Sequence, residues 1–93
     1  MAKAFESRVK IEEIGETEEI GNNGFKKREL VGLIEGEYPE YLKFEFIKDK
    51  VDLLDDLIVG TYATISFNLK GRKVEKNGDT FYFISLQGWK VEV

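Results

Sequence analysis

The chain has 93 residues, with 14 lysines and arginines against 18 acids and a net charge of −4. That length allows one domain with a marginal core, and the absence of cysteine leaves no disulfide to reinforce it. The absence of histidine removes the commonest general base and the commonest zinc ligand together, so Ser7, Ser66 and Ser85 cannot form a Ser-His-Asp triad. No apolar run approaches the roughly 20 residues of a membrane-spanning helix, and no signal-peptide pattern opens the chain, which reads as a soluble cytoplasmic domain.

Residues 5–14 alternate, with Phe5, Val9 and Ile11 inward and Glu6, Arg8, Lys10 and Glu12 outward, the period of a long strand. Gly15 marks a bulge or bend in it. A Glu-rich stretch then reaches Gly21-Asn22-Asn23-Gly24, whose composition is that of a turn. Residues 25–34 make a second strand, with Val31 and Leu33 expected inward. Gly36 and the only proline, Pro39, place a loop over 35–40. Residues 41–47 alternate cleanly, with Leu42, Phe44 and Phe46 on one face and Tyr41, Lys43 and Glu45 on the other.

The period then changes. Val51, Leu54 and Leu57 recur at helical spacing, which predicts a short helix over 50–57 with Asp49 as its N-cap and Asp52 near the positive end of its dipole. Gly60 suits the tight junction where extended structure resumes. Ala63, Ile65, Phe67 and Leu69 form one face of a fourth strand, and Tyr62, Thr64, Ser66 and Asn68 the other. Asn77-Gly78 can supply the two positive φ angles of a type I′ turn, which leads directly into a fifth strand over 80–93. Phe81 and Phe83 share one parity there, and Tyr82, Ile84 and Leu86 the other. The more aliphatic set makes the better core, so the two phenylalanines are assigned to the outer face. Trp89 reads as core or subunit contact.

Three strands, a short helix and two strands is the order of an OB-fold, an all-β five-stranded Greek-key barrel. The barrel accounts for residues 1–93 as a single domain. In that fold the binding surface comes from strands two and three and from the loops joining strands one–two and four–five. Here it draws Asn22, Asn23, Phe25, Lys26 and Arg28 from the first loop and the second strand. Tyr41 and Lys43 come from the third strand. Lys70, Arg72, Lys73 and Lys76 line the hairpin loop, with Phe81 and Phe83 on its returning arm. Either cation cluster alone could be a solvated strand end; their convergence on one face of an acidic body is what carries meaning. Cations that track phosphates, interleaved with rings that stack on bases, suit a single-stranded nucleic acid.

Other chemistries find less support. Asp49, Asp52, Asp55 and Asp56 read as a solvated helix face, because oxygen-ligated metal sites gather more ligands in tighter geometry. The glycines are dispersed among turns and form no phosphate loop. No cofactor, metal or small-molecule substrate is expected, and the chain reads as non-enzymatic.

Lys26-Lys27-Arg28-Glu29, Glu37-Tyr38-Pro39, Phe44-Glu45-Phe46, Asp49-Lys50-Val51 and Ser66-Phe67-Asn68-Leu69 resemble a family of short bacterial and bacteriophage proteins. Arg72 and Leu86-Gln87-Gly88-Trp89-Lys90 continue the resemblance, which covers roughly residues 5–92. The family is a domain of unknown function and is similar to a compact single-stranded DNA-binding protein. The resemblance implies the OB-fold and a bacterial or phage-infected cell. The chain ends at Val93 without the disordered acidic C-terminal tail of the better-known single-stranded DNA-binding proteins, so recruitment of partners by such a tail is not expected.

The expected function is single-stranded DNA binding with little sequence preference, in replication, recombination or repair. The alternative is an OB-fold protein-interaction module without nucleic-acid binding, which the acidic composition favours. A homo-oligomer, most simply a dimer, is expected either way. Trp89, Val91, Val93 and the Tyr62 face exceed what one small barrel can bury.

Overall fold

The computed structural model describes residues 4–21 and 23–93. Asn22, assigned above to the first loop, lies outside the described residues. Strands β1 (Ala4–Ile14), β2 (Glu18–Ile20), β3 (Phe25–Ile34) and β4 (Glu40–Ile47) lead into a 3-10 helix (Lys48–Leu54). β5 (Tyr62–Lys76) and β6 (Asp79–Glu92) complete the chain. β1 pairs antiparallel with β5 through residues 4–10 and with β3 through residues 10–14, so one strand serves both halves of the sheet. β3 pairs with β4 and β5 with β6, both antiparallel. A parallel contact of β4 with β6, Phe44 opposite Leu86 and Glu45 opposite Gln87, closes the ring. The result is the five-stranded OB-fold barrel, with β2 as a short extra strand on the edge of β3.

The core is built from Val9, Ile11, Leu30, Phe44, Phe46, Leu54, Ala63, Ile65 and Phe67. Leu42, Phe44 and Phe46 point inward as their alternation predicts, and Phe67 packs edge-on against Phe44. The inward face of β3 differs from expectation. Leu30 and Gly32 point in, and Val31 and Leu33 lie half-buried outside. The cause is Gly32, which leaves the space that Val9 fills; an inward position without a side chain is invisible to hydrophobic parity. The bend in β1 also moves. Its register shift lies between Ile11 and Glu13, while Gly15 follows the strand and donates its N–H to the Glu29 carbonyl at 2.8 Å.

The helix covers 48–54, starts after Ile47 with no side-chain cap, and is 3-10 throughout. Asp49 is therefore inside it, not its cap. Val51 and Leu54 are its buried residues; a spacing of three eclipses side chains in a 3-10 helix, so the pattern fits this tighter form. Among the described residues no helix is long and apolar enough to cross a membrane.

Asn77 and Gly78 take φ angles of 53° and 83°, as a type I′ turn requires, and pair β5 with β6 residue for residue from Phe67 to Lys76. Beyond Leu69 and Leu86 this hairpin leaves the barrel as a two-stranded arm about 20 Å long at the usual rise per residue. Tyr82 and Ile84, assigned to the core with Leu86, are 73% and 80% exposed on the arm. Only Leu86 packs against the barrel interior, because the arm outruns the core that its inward face would enter. Trp89 is the extra residue at the register shift between β5 and β6 and is a partly exposed residue outside the core. Val91, by contrast, packs against the core and is no part of a surplus surface.

Candidate nucleic-acid interface

Strand register decides which side chains meet outside the barrel. Lys27 lies opposite Ile47, Glu29 opposite Glu45, Val31 opposite Lys43 and Leu33 opposite Tyr41, and paired residues share a face. The parallel contact sets Gln87 beside Glu45 and so brings the Phe83–Ser85–Gln87 face of β6 alongside. Across the arm, Lys70 faces Ser85 and Arg72 faces Phe83. These outer faces enclose an open groove of about 740 Å³. Phe25, Lys43, Lys70, Arg72 and Phe83 line it, as do Lys27, Glu29, Glu45 and Ser85.

The groove has two electrostatic zones. On its floor, Lys27 Nζ lies 2.8 Å from Glu45 and 3.8 Å from Glu29, and Lys43 Nζ lies 3.6 Å from Glu29. The hydrogen bond to Glu45 raises the Lys27 ammonium above the ordinary lysine value against the opposing effect of burial. Partial burial pushes the Glu45 carboxyl up, but Lys27, helped by the Ser85 hydroxyl and by Lys43, brings it below the ordinary glutamate value. Its stabilising effect is thus present at neutral pH and lost as pH falls through that depressed value. On the rim, Arg72 lies over the Phe83 ring, its guanidinium carbon 5.4 Å from the centroid. Four cations against two carboxylates leave the groove positive on an acidic protein.

The other site residues read from the sequence fall elsewhere. Arg28 points away from the groove: its Nε donates to the Gly15 carbonyl at 2.8 Å, and its Nη1 bridges Asp55 at 2.7 Å and the Val51 carbonyl at 3.3 Å. It ties β3 to the helix and is a structural cation. Lys26 has the same parity as Arg28 and lies opposite Glu19 of β2. Alternation in β3 puts Lys27 in the groove with Phe25, so the cation triplet contributes its middle member only. Tyr41 stands two residues beyond Lys43 on the same face of β4, exposed and outside the groove lining. Phe81 continues the Phe83 face along the arm, and Lys76 lies near its tip on that face. Lys73 is on the reverse face opposite Tyr82 and pairs with Glu75 at 3.2 Å.

The fold is shared with several solved structures. The chain is similar to the SSB domain of a Synechococcus sp. protein, at 14% identity and a TM-score of 0.74, over 97% of this chain and 93% of that one. It is similar to Rim1, a mitochondrial single-stranded DNA binding protein of S. cerevisiae, at 9% identity and a TM-score of 0.74, over 100% and 95% of the two chains. A small single-stranded DNA-binding protein from Streptomyces coelicolor gives 9% identity and a TM-score of 0.62, over 98% and 93%. At such identities the likeness establishes the fold. No curated protein matches the sequence. The sequence from residue 6 to residue 92 matches the family described as a domain of unknown function, DUF3127, and the chain belongs to that family.

Proposed function

We propose that this protein is a non-enzymatic single-stranded DNA-binding protein that reads no defined sequence and acts in replication, recombination or repair in the bacterial cytoplasm. The observation that carries this reading is the meeting of Phe25, Phe83, Lys70 and Arg72 in one groove, on the face where OB-folds bind oligonucleotides. Unpaired bases have free faces for the rings, each stack being worth about 1–3 kcal/mol, whereas a duplex keeps its bases stacked on one another. The similarity to three proteins whose names say that they bind single-stranded DNA or carry an SSB domain supports the same reading.

Fluorescence anisotropy with a labelled mixed-sequence oligonucleotide, titrated across a salt series, tests it. Lys70 and Arg72 alone would give log K a slope near −1.4 against log salt, and all four groove cations about −2.8, at about −0.7 per phosphate on a single strand. Binding should exceed that of the matching duplex. No binding at low salt, or a clear duplex preference, would overturn the proposal.

One observation favours a further contact with protein. On the reverse face of the arm Leu69, Tyr82 and Ile84 are open and apolar. The arm is basic and the β1–β2 end of the barrel is rich in glutamate, so a second copy offers both charge and apolar complementarity. Light scattering is expected to return the mass of a dimer, and a monomer mass would reject this association.

A further inference from the structure

The floor of the groove presents its charge differently from the rim. Among the described residues Lys70 and Arg72 make no ion pair, whereas on the floor Lys27 and Lys43 are already held by Glu29 and Glu45. A phosphate laid on the floor would meet two carboxylates and compete with both for the same ammonium groups. A phosphate on the rim meets free cations. The floor is therefore a poor track for a backbone and a good surface for base edges. Resting on the single-stranded DNA reading above, we infer that the backbone follows the Lys70–Arg72 rim while bases turn toward Glu29 and Glu45, so that the groove favours bases with an exocyclic amino group, cytosine above all, over thymine.

The chemistry of the edges gives the direction. An ionised carboxylate only accepts hydrogen bonds. Cytosine offers the two N4 hydrogens beside its N3 acceptor, a donor–acceptor pair matched by Glu45 and the Lys27 ammonium 2.8 Å from it. Thymine offers one N–H set between two carbonyl oxygens, and both oxygens repel an approaching carboxylate. Glu45 is suited to the role because Lys27 and Ser85 keep it ionised and fixed while it still lines the groove. Such contacts bias composition without specifying a sequence, because two neighbouring carboxylates cannot read a register.

The test is anisotropy with oligo(dC) and oligo(dT) of equal length, at mildly alkaline pH so that cytosine N3 carries no proton. Both are single-ring pyrimidines, and oligo(dU), which has the edge of thymine without its 5-methyl group, controls for the stacking and apolar contact of that methyl. The expected result is roughly tenfold tighter binding of oligo(dC), the low end of discrimination for a good pair of hydrogen bonds. In Glu45→Gln the amide both donates and accepts, so the ratio should fall toward one while binding to both oligonucleotides strengthens. Glu29→Gln should act in the same direction, and either variant suffices if the other fails to fold. Wild-type binding that is equal for the two, or tighter for oligo(dT), overturns this inference alone, as does an unchanged ratio in both folded variants. Failure of the wild type to bind either oligonucleotide overturns the single-stranded DNA reading and this inference with it.

Discussion

Gly88→Ala is expected to lower the melting temperature by about 10 °C, the equivalent of an overpacking cost near 2 kcal/mol in a domain of this size. A Cβ at position 88 would stand closer than 3.0 Å to three atoms of the Phe46 ring. That ring is fully buried in the barrel, so it can give way only by displacing other core side chains. Gly88 belongs to β6 just beyond its parallel contact with β4, so the clash would strain the seam that closes the barrel. The mechanism has its own control. In a Phe46→Leu background the same alanine has room, and the double variant should be more stable than the sum of the two losses predicts. Additive losses in thermal denaturation would show that Gly88 is required for another reason. Oligonucleotide affinity, measured well below the melting transition, should stay unchanged, because the contact faces the interior.

Gly88 also illustrates what could be read in advance. Its neighbours Leu86 and Gln87 fit a strand pattern, but a glycine in an inward position carries no hydrophobic signal. Gly32 has the same effect in β3, where parity without an inward side chain points to Val31 in place of Leu30. Strands with a full inward set, such as β4 with Leu42, Phe44 and Phe46, were legible because parity had three witnesses. So were the type I′ turn and the order of elements, and with them the barrel.

The groove was legible at the level of strands and less so at the level of side chains. Phe25 and Lys27 share a parity that Lys26 and Arg28 lack, so placing Phe25 in the site should already have selected Lys27. Arg28 is a different case. Its partners Gly15, Val51 and Asp55 lie 13, 23 and 27 residues away, and no local pattern announces such a bridge. Glu45 falls on the outer polar face of its strand by alternation, but Glu29 shares the parity of Val31 and Leu33, and the pairing of both with Lys27 follows only from the register of β3 on β4. The length of the free arm is likewise a tertiary fact. Alternation runs without a break from Thr80 to Gly88, across the point where the arm meets the barrel, and nothing in it marks where the barrel stops.

The largest loss of affinity is expected at the rim, from Arg72→Ala. The change removes a cation free of carboxylates and also the group that lies over Phe83. Affinity should fall by roughly tenfold or more at low salt, and the salt slope should become shallower by about 0.7, as it must when one phosphate fewer is neutralised. Phe83→Leu should weaken binding by a similar factor, consistent with a stack worth about 1–3 kcal/mol, but leave the slope as it was, since removing a ring releases no counterions. Phe83 is 50% exposed, so this variant should melt close to the wild type, unlike Gly88→Ala. The double variant separates independent contacts from a single unit. A guanidinium 5.4 Å from the ring centroid helps to hold the ring in place for a base, so the double variant should lose less than the two single losses combined. Strict additivity would mean that Arg72 and Phe83 meet different parts of the strand. If Arg72→Ala leaves both affinity and slope untouched, the backbone does not run along the arm, and the rim assignment fails while the fold stands.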